Sequence, residues 1–195
     1  ASGELKPSTH TEIDREEKWR RHLMTLVTAL QKGEYGRAEE IAKELSVATL
    51  GKDGEKLAYH FRGILTPIIT STLEPLLYKK KYDDLLEILY MASLCTFIPS
   101  TEFAPFAHMV TRYPEVRSLI GTGLLRKLTL KAYDEAWDGL RSYGIPEKFL
   151  RECVHPHIGD YILANCKGIG GVDGKKLLDS IETLLSRGLL SEKWI

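Results

Sequence analysis

The chain has 195 residues, 43% of them hydrophobic, enough apolar material for one sizeable core or two small ones. Its 27 basic and 27 acidic residues cancel and the pI is about 7.2, which excludes attraction of the whole molecule to polyanions and leaves only local nucleic-acid or membrane contacts. Cys95, Cys153 and Cys166 are odd in number and far apart, so they argue against a disulfide framework and for a reducing compartment: cytoplasm, nucleus or organelle matrix.

Residues 1–11 are polar and contain Pro7, which reads as a flexible arm. From Glu12 to Lys32, Trp19, Leu23, Leu26, Val27 and Leu30 fall at three- and four-residue steps, the stripe of an amphipathic helix. Gly33 stops it. Ala38, Ile41, Ala42 and Leu45 give a second helix that folds back on the first, with Tyr35 at the corner. Gly51 to Gly54 is a turn by composition, and helical spacing resumes through Leu57, Phe61 and Leu65.

Pro67 and Pro75 follow. Proline is best tolerated in a first turn, so a break or kink is expected near each. These prolines and Glu74 also interrupt the most apolar stretch, 63–78, and no run approaches the roughly 20 residues needed to cross a bilayer. A soluble protein is expected. From Tyr82 to Leu94, apolar residues surround the helix, as in a helix buried on all sides; this is the expected centre of the core. Beyond a connection at 96–99, a helix is expected from Glu102 to Arg112, ended by Pro114. A short helix then runs to a break at Gly121 and Gly123. A third hairpin from Leu124 to Tyr143, short helices at 147–153 and 157–166, and a last helix from Asp173 to Arg187 complete the chain. No segment alternates as a strand does.

Three segments share one pattern, Leu-x3-Leu-x4-Tyr-x2-(Ala or Leu): Leu26, Leu30, Tyr35 and Ala38; Leu73, Leu77, Tyr82 and Leu85; Leu124, Leu128, Tyr133 and Ala136. The tyrosines recur at intervals of 47 and 51 residues, within the range of helical-hairpin repeats. Acidic residues follow each: Glu39 and Glu40, Asp83 and Asp84, Asp134 and Glu135. They read as first-turn carboxylates that complement a helix dipole. The fold class is therefore all-α, an irregular helical bundle or a short array of antiparallel hairpins. It forms a single domain over 12–195, with the hairpin repeats at 12–143 and a C-terminal helical subdomain at 146–195. The repeats resemble tetratricopeptide-like and HEAT-like arrays, which implies a scaffold for binding other proteins.

Two regions carry functional expectations. Phe97, Phe103, Phe106 and Met109 are dense around a proline-punctuated loop, and Trp194 stands near the end of the sequence; exposed, they would form a partner-binding surface. The stretch from Lys167 to Leu177 resembles the helix-hairpin-helix element of DNA-binding and repair proteins in Gly168, Ile169, Gly170, Gly174 and Leu177, although Lys167 stands where that family has proline. The resemblance implies phosphate binding by Lys167, Gly168, Gly170, Lys175 and Lys176, with backbone amides and a helix N-terminus turned toward the anion. The other reading makes Gly168 a helix-closing residue and Asp173 the N-cap of the next helix.

Cys153, His155, His157 and Cys166 are spaced wrongly for zinc; the cysteines read as core thiols and His155-Pro156-His157 as a turn. No catalytic motif, metal or cofactor is expected. The reading is a non-enzymatic adaptor or scaffold that binds a protein through a groove between hairpins or through 97–110. Nucleic-acid binding at the glycine hairpin is the first alternative. A pocket in the helical core near His60, Tyr90, His108 and Trp137 is the second.

Overall fold

A computed structural model of the chain describes residues 7–129, 132–168 and 171–190. It is all-α apart from one two-residue strand pair. The chain divides between Phe103 and Ala104 into two compact units, so the third hairpin lies in the second unit with the C-terminal helices. The first unit holds α1 (Pro7–Lys32), α2 (Tyr35–Ala48), α3 (Gly54–Tyr78), α4 (Tyr82–Leu94) and a 3-10 turn, Ser100–Glu102. The second holds α5 (Ala104–Val110), α6 (Pro114–Thr129), α7 (Tyr133–Ser142), α8 (Glu147–Val154), a 3-10 turn at His155–His157, α9 (Ile158–Cys166), β1 (Lys167–Gly168), β2 (Gly171–Val172) and α10 (Gly174–Ser186). Of the expected N-terminal arm, residues 1–6 lie outside the described residues, and α1 already begins at Pro7.

The three tyrosines of the repeat are the first residues of α2, α4 and α7. Each corner is closed by main-chain groups. The amides of Glu34, Lys81 and Ala132 donate to the carbonyls of Ala29, Leu76 and Lys127, at 2.9, 3.0 and 3.0 Å, the six-to-one bond of a Schellman closure. The residue before it turns left-handed at the first two corners, Gly33 at φ 72° and Lys80 at φ 55°. Acidic residues do occupy the first turns of α4 and α7, but α2 has none there; Glu39 and Glu40 lie one turn further in.

In the first unit the core is built around α4, where Tyr82, Leu85, Leu86, Ile88, Leu89, Tyr90, Met91 and Ala92 are all buried. It meets α2 on one side and α3 on another. Leu26, Leu45, Phe61, Leu65, Ile69 and Leu73 bury their side chains with it, each such burial contributing about 2 kcal/mol. Ser46 fastens the end of α4: its Oγ donates to Leu94 O at 2.7 Å and accepts from Thr96 N at 3.1 Å.

The helix breaks expected near Pro67 and Pro75 and at Gly121 and Gly123 are absent. Pro67 and Pro75 sit inside the single helix α3. A proline ring crowds the carbonyl four residues earlier; here those residues are Gly63 and Ser71, both exposed along with the prolines, so the released carbonyls face water. Gly121 and Gly123 likewise lie inside α6. Gly121 is there for proximity: a Cβ on it would stand 2.0 Å from Cys153 O and 2.9 Å from His157 Cδ2, so its bare backbone lets α6 meet α8.

Candidate protein-binding surface

A shallow, open depression on the first unit runs between α1 and α2. It has a volume of about 390 Å³ and is lined by Lys18, Trp19, His22, Lys43, Glu44 and Val47. Helical spacing aligns these residues, since positions three and four apart are neighbours on a helix surface: Lys18 and Trp19 each reach His22 on α1, and Lys43 and Glu44 each reach Val47 on α2. The floor is apolar. Trp19 is half-buried and packs edge-on against Phe61 of α3 at 5.7 Å and against His22 at 5.6 Å. Val47 is 67% exposed.

The rim is charged. Lys18 Nζ lies 5.3 Å from the centre of the Trp19 ring, a cation over a π face. His22 Nε2 lies 3.0 Å from Glu44 Oε2, linking the two walls. Braced from beneath, Trp19 loses little freedom when a ligand covers it, and an aromatic side chain so held is the usual anchor of a binding hot spot.

The wall α2 is tied to the core helix α4 as well. Tyr35 Oη donates to Asp84 Oδ1 at 2.8 Å. Burial, and then this bond to a carboxylate, raises the pKa of the Tyr35 phenol above the ordinary tyrosine value. In the second unit Tyr133 is buried, stacks on Trp137 with ring centres 5.5 Å apart, and carries the Arg187 guanidinium 5.5 Å from its own ring centre. Burial raises its pKa too, against the opposing charge of Arg187, which also pairs with Asp134.

The aromatic loop is arranged otherwise than expected. Phe97 is buried with its ring 5.4 Å from Phe61, and Phe103 is 1% exposed. Short turns fold the loop inward: Ile98 N donates to Cys95 O and Phe103 N to Ser100 O. These two phenylalanines are core residues and offer no free surface. Phe106 is half-buried, Met109 is exposed, and Trp194 lies outside the described residues.

The glycine stretch forms a small antiparallel hairpin, with Lys167 opposite Val172 and Gly168 opposite Gly171. Gly171 takes φ 141°; Gly170 lies outside the described residues. Asp173 caps α10: its carboxylate accepts from Lys175 N at 3.1 Å, while its own amide donates to Cys166 O at 2.9 Å. Lys167, Lys175 and Lys176 are exposed, but the helix N-terminus already holds a carboxylate where an anion would sit.

Cys95, Cys153 and Cys166 are free and buried. Burial pushes the thiols of Cys95 and Cys153 up to about 12 and about 11. Among the described residues no three His, Cys, Asp or Glu side chains gather as a metal site, and no helix is long and apolar enough to cross a membrane. Ser118 Oγ and His157 Nε2 meet at 3.3 Å on the surface. His60 and His108 are exposed, while Tyr90 and Trp137 are buried.

In the sequence Trp19 reads as one position of the amphipathic stripe of the first helix, and nothing there singles out Lys18, Lys43 or Glu44. Only the pairing of α1 with α2 brings them together. Compared with family models, curated proteins and solved structures, the chain matches none.

Proposed function

We propose that the protein is a non-enzymatic helical adaptor that binds another protein in the groove between α1 and α2. The observation that carries this reading is the braced, half-exposed ring of Trp19 facing Val47 across an open, mainly apolar depression. Hairpins of this kind lend themselves to such use, because two packed helices leave a furrow that a third can fill. The charged rim around an apolar centre follows the usual anatomy of a protein interface.

The test is proximity labelling in cells with the wild-type chain, Trp19→Ala and Val47→Asp. The reading expects one set of neighbours to be lost with both variants while the melting temperature of Val47→Asp is unchanged. An identical set of neighbours for all three chains would remove the groove as the binding site. Nucleic-acid binding is the second reading, supported by the three exposed lysines of the glycine hairpin. It expects retention on DNA or RNA at low salt that falls with added salt and with Lys175→Glu and Lys176→Glu.

A further inference from the structure

The glycine hairpin carries apolar surface that the nucleic-acid reading leaves unused. Lys167 and every residue from 171 to 176 are exposed, so the described part of the link between α9 and α10 faces solvent. Val172 is 62% exposed and sits opposite Lys167 in the strand pair, which sets the two side chains on one face of the ribbon. Leu178, also 62% exposed, lies three residues after Lys175 on α10 and is its neighbour on the helix surface. Leu163, in the last turn of α9, is exposed as well. Large aliphatic side chains and lysines thus stand side by side on one short element.

The lysines are uncommitted. Among the described residues Lys167, Lys175 and Lys176 enter no ion pair. The place for a discrete phosphate is filled, because Asp173 accepts from Lys175 N at the start of α10 and its own amide donates to Cys166 O. What remains is three point charges on flexible stems, without the planar fork of an arginine, and such charges answer to a diffuse negative field. A nucleic acid would use the lysines but not the exposed valine and leucines. No aromatic residue lies between Tyr161 and Trp194 to stack on a base.

We infer that this tip docks the protein on an anionic lipid bilayer. Lys167, Lys175 and Lys176 face the headgroup charge, while Val172, Leu178 and Leu163 enter the boundary between headgroups and acyl chains. Asp179 and Glu182, exposed further along α10, are repelled by the same surface and confine the contact to the tip. It is a surface contact, since no helix among the described residues is long and apolar enough to cross a membrane. It makes no use of the groove between α1 and α2.

The probes are vesicles of phosphatidylcholine alone and of equimolar phosphatidylcholine and phosphatidylserine, sedimented with the full chain. The chain should sediment with the mixed vesicles and stay in solution with phosphatidylcholine, and added salt should release it. Lys175→Gln and Lys176→Gln should each weaken partitioning about fivefold. The pair Val172→Ser, Leu178→Ser should weaken it about tenfold with the melting temperature unchanged, since both side chains are exposed. Trp19→Ala should leave it as it is.

Equal sedimentation with both kinds of vesicle, or with neither, overturns the inference. So does full binding by the serine pair, which would reduce the contact to charge alone. Retention on DNA that mixed vesicles do not displace, and that falls with Lys175→Gln and Lys176→Gln but not with the serine pair, would assign the tip to nucleic acid instead. Vesicle binding lost with Trp19→Ala would move the contact to the groove and overturn the inference while leaving the groove reading to the labelling experiment.

Discussion

The hydroxyl of Tyr35, at the first residue of α2, donates to the carboxylate of Asp84 in the first turn of α4 at 2.8 Å. This bond joins the corners of two successive hairpins, 49 residues apart in the chain. Tyr35→Phe should cost about 1 kcal/mol, since the bond is charge-assisted but only partly shielded from water.

The same bond sets a pH dependence. The folded chain holds the Tyr35 phenol neutral beyond the ordinary tyrosine value of 10.0. The unfolded chain therefore loses this proton first. The stabilisation from the neutral phenol is full below pH 10 and declines as pH rises above it. Denaturation midpoints measured from pH 7 upward should fall less steeply in the alkaline range for Tyr35→Phe than for the wild-type chain.

Two glycines of α6 should answer oppositely to one substitution. Gly121→Ala drives a methyl group into the carbonyl of Cys153 and should destabilise the second unit by about 3 kcal/mol, as overpacking does. Gly123→Ala meets nothing within 4 Å and should stabilise it by about 1 kcal/mol through helix propensity. Urea denaturation of the two variants gives the comparison directly.

Lys80 occupies the left-handed position that Gly33 fills at the first corner. Its side chain makes that conformation cost about 1 kcal/mol, so Lys80→Gly should raise stability by up to that amount, less the added backbone entropy of the unfolded chain. Thermal unfolding at fixed protein concentration is the measurement.

The cysteines should be inert in the folded chain. With Cys95 raised to about 12 and Cys153 to about 11, almost no thiolate exists at neutral pH, and all three sulfurs are buried. Iodoacetamide at pH 7.5 should leave the native protein essentially unlabelled and label all three positions in urea, as intact mass will report.

Periodicity made the hairpins legible. Leucines at helical steps, a tyrosine after each corner and an all-round apolar α4 are local patterns, and local patterns survive packing. Pro67, Pro75, Gly121 and Gly123 misled because their effect depends on what lies opposite: water beside α3, the backbone of Cys153 beside α6. The aromatic loop at 97–103 misled for the same reason, since a short turn can aim phenylalanine inward or outward with equal ease. Trp19 could not be told from a core residue, because an apolar stripe does not state how much of its width a neighbour covers. Asp173 was legible as a cap because capping needs only its own helix.

The Schellman corners carry one more implication. Their closing bonds run between main-chain atoms, and none of the N-cap side chains Glu34, Lys81 and Ala132 is used to cap a helix. Polar positions along the hairpin walls are thus released from holding the bends together. The charge on the surface beside Trp19 can change while the corners beneath it keep their shape.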